Sequence, residues 1–143
     1  MTRGVAALIA AAIANVSGWV LPVIDEYRGW QAFRVALSPI WPYEKFHIPE
    51  TYLVILSVAS ALTNALFWVV AIALVRGASP QRARVCLWLA AGATLLDLHW
   101  QTTLRENAAD LRAGYFVWVA SFALLALAAY FEVVKSRGAR KPA

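Results

Sequence analysis

The chain is poor in nearly everything a water-soluble domain relies on. Only 15% of its 143 residues are charged while 62% are apolar, too little polar surface to cover a soluble fold of this size. A single cysteine, Cys86, excludes an intramolecular disulfide and any cysteine-based metal site of the usual spacing. The sequence contains no Walker-type loop, no HExxH, no GxSxG elbow and no glycine-rich dinucleotide turn, so the motifs that announce nucleotide, zinc-protease or serine-hydrolase chemistry are missing. It also lacks an internal repeat or inverted half that would mark a transporter by symmetry. The net charge of +5 does not point to nucleic acid, because the basic residues follow the ends of apolar runs instead of gathering on one face.

What the sequence does have is long apolar runs. Four of them, about Val5 to Ile24, Tyr52 to Val75, Val85 to Thr103 and Ala113 to Val134, each come close to the ~20 residues that cross a ~30 Å hydrocarbon core. The expected fold is an all-α integral membrane protein, a single domain of four transmembrane helices with a basic tail over residues 135–143. Its layout is similar to that of small bacterial four-span proteins, and the Ala- and Arg-rich composition suggests a bacterial inner membrane. With four spans, Arg3, Arg76, Arg82, Arg84, Lys135, Arg137, Arg140 and Lys141 fall on one side, against Arg28, Arg34, Lys45, Arg105 and Arg112 on the other. The positive-inside rule then places both termini in the cytoplasm. A second topology is open: Met1 to Ser17 resembles a secretory signal with AIA at residues 12–14, and its removal would leave three spans.

The segment Asp25 to Pro49 is long for a plain connection between helices. Within it, GWQAFRVAL sets Trp30, Phe33 and Leu37 on one face at helical spacing, with Trp41 beyond. A short helix lying in the outer interface is predicted, either as a membrane-lying connector or as a surface for a partner. Aromatic residues cluster at both expected boundaries, Trp88, Tyr130 and Phe131 at the inner one and Trp30, Trp41, Tyr43, Tyr52, Trp100 and Tyr115 at the outer, where amphipathic rings anchor.

Each span carries a stripe of small or polar residues: Ala7, Ala11, Asn15 and Gly18; Ser57, Ala61, Asn64 and Ala71; Ala90, Ala93, Thr94, Asp97 and Gln101; Gly114, Ser121 and Ala128. Membrane helices associate through such close packing and through interhelical hydrogen bonds. Asn15 and Asn64 both come near the midplane, and a bond between them is expected to tie the first two helices. Asp97 is the unusual residue, because an ionised carboxylate near the bilayer centre costs on the order of 3 kcal/mol. It lies thirteen residues past Arg84, about 19 Å from that boundary at ~1.5 Å per residue. Ser17, Ser57 and Ser121 reach similar depth, so a polar pocket open to the outside with Asp97 at its base is one expectation. The other is a carboxylate satisfied by Arg105, Arg112, hydroxyls or water. His99, two residues on, points to nearly the opposite face of a helix and makes no ready dyad with Asp97 unless the helix ends between them.

His47 and Glu50, with Asp25, Glu26, Glu44 and His99, form only a loose external collection of possible ligands, and Pro49 breaks any regular pairing. No metal, cofactor or catalytic residue is therefore assigned, and Cys86 lacks a neighbouring base. The function expected is a non-enzymatic accessory or immunity-type protein that recognises a membrane-protein partner, or a second copy of itself, within the lipid bilayer. The alternatives are a small oligomeric transporter or channel using Asp97 as a proton or cation site, and a lipid-directed enzyme with Asp97 or His47 as acid or base.

Overall fold

A computed structural model describes residues 2–43, 51–103 and 111–138. Glu44, His47, Glu50 and Arg105, and the tail from residue 139 onward, lie outside the described residues.

Helix α1, Arg3–Val20, opens on Thr2, whose Oγ1 accepts from Val5 N at 3.4 Å, one of the orphan first-turn N–H groups. It stops before residue 24, where the apolar run had suggested it would end. Pro22 offers no N–H to continue the ladder and forces the residue before it out of the helical region; Leu21 is accordingly extended, with ψ 152°. The apolar character of Val23 and Ile24 goes into a strand instead. Strand β1, Pro22–Ile24, pairs antiparallel with β2, Tyr27–Arg28, around a turn in which Asp25 adopts φ 46°. The fold is thus mostly helical with one small hairpin.

Helix α2, Gly29–Ala36, follows directly and corresponds to the short helix expected in this segment. Arg28 N donates to Gln31 Oε1 at 2.9 Å, which fixes its first turn. Helix α3, Thr51–Val75, ends at Gly77, whose φ of 81° is the left-handed conformation in which glycine closes helices. Ser79 caps α4, Pro80–Leu98, with Pro at its first position, so this helix starts five residues before the apolar run begins. The chain breaks at His99, makes a single turn α5, Trp100–Thr103, and later returns as Leu111, which bridges Ile24 of the hairpin. Helix α6, Ala113–Gly138, completes the fold.

The long helices stand side by side in the order α1, α6, α4, α3, with α6 also touching α3. Gly4 near the start of α1 lies against Phe131 and Glu132 near the end of α6, so these two run antiparallel. Close approach is enforced by small residues: a Cβ on Gly18 would come within 2.8 Å of Trp118 Cβ. The interior centres on Phe67 and Phe122, edge to face at 5.5 Å, with Val70, Leu125 and Ala129 around them.

Helix α1 is inside out relative to a soluble bundle. On α1 the buried residues are Gly4, Ala7, Ala11, Asn15 and Gly18, while Val5, Ile9, Ile13, Val16 and Val20 face outward. Water would reverse that choice, since burying the large side chains is worth ~1.5–3 kcal/mol each; hydrocarbon is indifferent to it and rewards close backbone packing. Among the described residues three helices, Arg3–Val20, Thr51–Val75 and Ala113–Ser136, are long and apolar enough to cross a membrane. Helix α4 falls short of that composition because Arg82 and Arg84 stand in its opening turns and Asp97 in its last.

Candidate functional site

The polar residues of the long helices converge in two linked layers toward the hairpin end of the bundle. Asp97, in the last turn of α4, is fully buried. Ser60 of α3 donates to its Oδ1 at 2.7 Å, and Ser60 Oγ in turn accepts from Trp100 Nε1 at 3.1 Å. Tyr115 of α6 donates its hydroxyl to the Asp97 backbone carbonyl at 2.7 Å. That carbonyl belongs to the last turn of α4, where four acceptors have no partner within the helix, so a side chain from a neighbouring helix caps α4. Thr63, one turn along α3, is also buried and donates to the Ser60 carbonyl.

The second layer is built on Trp118. Its indole Nε1 donates to Asn64 Oδ1 at 3.0 Å, while its carbonyl accepts from Ser121 Oγ at 2.6 Å. Asn15 Nδ2 donates to that same Ser121 Oγ at 3.2 Å. The bond expected between Asn15 and Asn64 is therefore not direct. Helix α6 lies between α1 and α3, and Trp118 with Ser121 joins the two amides across it.

Of the residues singled out by depth, Asp97, Asn15, Asn64 and Ser121 enter these layers. Ser57 is buried but turns its hydroxyl to the Val54 carbonyl, and Ser17 is half-buried on α1 apart from the cluster. The carboxylate does not open to the outside: Asp97 is fully buried, with Ser60 on its Oδ1. No cation pairs with it among the described residues; Arg112 is exposed. Helix α4 does end between Asp97 and His99, yet among the described residues only the His99 backbone N–H reaches Asp97, at its carbonyl, and no side-chain bond joins them. His99 Nδ1 lies 3.2 Å from the Leu96 carbonyl, and its ring stands 4.9 Å from that of Trp100.

Three buried atoms have no hydrogen-bond partner among the described residues: Asp97 Oδ2, Asn15 Oδ1 and His99 Nε2. A bare carboxylate oxygen is the most consequential, since desolvating it is expensive and a hydrogen bond to a charged group returns only about 1.5–3 kcal/mol. Chemically, Oδ2 has lone pairs free to take a proton or a small cation. Among the described residues no three of His, Cys, Asp and Glu converge on a metal-sized site.

Ser60, Thr63, Trp100, Tyr115 and Trp118 were not foreseen as members. Ser60 could have been, because Ser57, Ser60 and Asn64 fall at the i, i+3, i+7 spacing of one helix face. Trp100 and Tyr115 had the marks of boundary anchors, but their polar atoms turn inward to cap and bridge.

At the same end of the bundle, α2 forms a small platform. Phe33 packs on Trp19 at 5.2 Å between ring centres, and Ala32 joins the cluster of Val23, Leu111, Tyr115 and Val119. On the outer side Trp30, Ile40 and Trp41 are exposed, Trp41 to 60%, and the Arg34 guanidinium sits 3.5 Å above the Trp41 ring. Of the four residues expected to form an interface, Trp30 and Trp41 face outward, Leu37 is half-buried, and Phe33 attaches the helix to the bundle.

Fold and polar cluster together describe a small helical protein with three helices long and apolar enough to cross a membrane, a buried carboxylate and an aromatic platform at one end. Comparison with known protein families, with curated proteins and with solved structures finds no match.

Proposed function

We propose that the chain is a four-span protein of a bacterial inner membrane, with both termini cytoplasmic, that works without catalysis as an accessory or immunity-type partner of another membrane protein. The observation that carries this reading is the platform. Trp30, Ile40 and Trp41 stay exposed although α2 is held to the bundle by Phe33 and Ala32. Tryptophan on a pre-ordered support is the residue type that dominates binding energy at interfaces, and a fixed support lowers the ordering cost of association.

A second reading is favoured by one atom. Asp97 Oδ2 is buried without a hydrogen-bond partner among the described residues, and ionisable groups kept inside a membrane are usual members of proton or ion routes. Under this reading the protein is an oligomeric transporter in which Asp97 carries the charge.

Gentle extraction from the native membrane followed by native mass spectrometry separates the two. Under the docking reading a second protein is retained in fixed stoichiometry, Trp30→Ala with Trp41→Ala releases it, and Asp97→Asn keeps it bound. A bare homo-oligomer whose ion flux in proteoliposomes disappears in Asp97→Asn, with insertion and accumulation unchanged, would replace docking by transport.

A further inference from the structure

Helices α3 and α4 are joined by a tight turn, yet between them runs an open groove of about 340 Å³. Ala59, Leu62 and Leu66 form one wall, and Leu89, Gly92 and Leu96 form the other. The groove is almost wholly apolar and faces away from the core. Gly92 makes it deep: a Cβ there would meet nothing within 4 Å.

Both walls lead to arginine at the same end of the bundle. Along α3 the groove face continues from Ala59, Leu62 and Leu66 through Val69 and Ala73 to Arg76, at alternating steps of three and four. Along α4, Leu96, Gly92 and Trp88 lead in steps of four to Arg84, while Leu96, Gly92, Leu89 and Val85 lead to Arg82. Neighbours along each track share a helix face, and the two α4 tracks diverge, so Arg82 and Arg84, two residues apart, stand at opposite edges of the groove face. Arg76, Arg82 and Arg84 are all exposed, and among the described residues the only ion pair at that end is Lys135 with Glu132 at 3.7 Å. From Arg84 to Leu96 is twelve residues, about 18 Å of helix, close to the ~15 Å depth of one leaflet.

We infer that the α3–α4 groove binds one anionic phospholipid, its phosphate held by Arg82 and Arg84 with Arg76 beside them and one acyl chain lying past Trp88 and over Gly92 toward Leu96. Charge complementarity selects the headgroup: basic residues between helices at a cytoplasmic boundary are the usual seat of anionic lipid. The groove supplies what a bare basic patch lacks, a channel of leaflet depth for the chain. Trp88, 76% exposed, flanks the path where the headgroup region gives way to hydrocarbon. This rests on the four-span topology proposed above, goes beyond the proposed role and holds whichever partner the platform takes.

The test uses the full chain in nanodiscs of equal phosphatidylglycerol and phosphatidylcholine, released into mild detergent, with retained lipid counted by native mass spectrometry. One phosphatidylglycerol is expected to stay bound with about tenfold preference, roughly what arginine side chains contribute at a membrane surface. Arg82→Gln with Arg84→Gln should bring the preference to near unity. Gly92→Leu, whose Cβ has open space and which improves helix propensity, should remove retention of both lipids, as should Leu62→Trp from the other wall. Arg3→Gln with Lys135→Gln, basic residues at the same end but off the groove, should change nothing. Equal retention of the two lipids by the unaltered chain overturns the inference, as does retention that survives both groove-filling variants or falls equally in the Arg3 and Lys135 control.

Discussion

Tyr115 shows how a single hydroxyl serves both the fold and the site. It donates to the last-turn carbonyl of Asp97, which also accepts from the His99 N–H, so Tyr115→Phe removes one buried hydrogen bond and should lower stability by about 1 kcal/mol, read as a fall in thermal midpoint in detergent. Ser60→Ala removes the donor to Asp97 Oδ1 and the acceptor for Trp100 Nε1 together. It should therefore cost more than Tyr115→Phe, about 2–3 kcal/mol, and Asp97→Asn made in the same background should recover part of the loss by removing the uncompensated charge. An unrecovered double variant would mean that the carboxylate draws its support from elsewhere. At this scale the sequence was half legible. Asp97, Asn15, Asn64 and Ser121 stand out because polarity inside an apolar run is conspicuous. Tyr115, Trp118 and Trp100 do not, because an aromatic residue with a polar tip looks the same whether that tip reaches water or a buried acceptor.

The hairpin is the element on which the outer end is built. Gly114, in the first turn of α6, has no room for a side chain, because a Cβ there would run into the carbonyl oxygen of Pro22; the next contacts, Arg112 N to Val23 O at 2.9 Å and the Ile24–Leu111 bridge, depend on that approach. Gly114→Val should therefore cost more than the ~1–3 kcal/mol of ordinary overpacking, since backbone must move, whereas Gly92→Ala should be neutral or slightly stabilising. Comparing the two variants by thermal unfolding and by hydrogen exchange at residues 22–28 tests this, and loss of protection confined to the hairpin in Gly114→Val is the expected pattern. The helices themselves were legible from apolar length, which places their ends within about five residues, while the caps that fix those ends, Thr2, Ser79 with Pro80, and Gly77, emerge from the structure. The hairpin was not. Hydropathy reads Val23 and Ile24 as a continuation of α1, and only the stereochemistry of Pro22 says otherwise.

For the molecule as a whole, the open question is whether α4 crosses the membrane with the other three long helices. By composition alone it falls outside the spanning set, yet its nineteen residues rise about 28 Å, nearly the thickness of the hydrocarbon core. Its charges also sit where a span can bear them: Arg82 and Arg84 are in its opening turns, free to reach a headgroup region, and Asp97 is buried against α3 and α6 instead of facing lipid. Between them, Val85, Trp88, Leu89 and Leu95 face outward and are apolar. Its antiparallel packing along α6 further requires that, if α6 crosses, α4 lies at the same depth beside it. The two possibilities place the ends differently. Four crossings put the start of α1 and the end of α6 on one side, as their antiparallel packing requires; three crossings, by α1, α3 and α6 alone, would put them on opposite sides and would need that packing to be broken. Because Arg3, Arg76, Arg82, Arg84 and Lys135 gather at the bundle end that holds the start of α1 and the end of α6, the positive-inside rule supports the proposed cytoplasmic placement of that end. Reporters fused ahead of Met1 and after Ala143 should then both read cytoplasmic, and a third placed in the segment between α2 and α3 should read external. A cytoplasmic reading at one terminus and an external one at the other would reduce the bundle to three crossings and leave α4, with its buried carboxylate, lying outside the hydrocarbon.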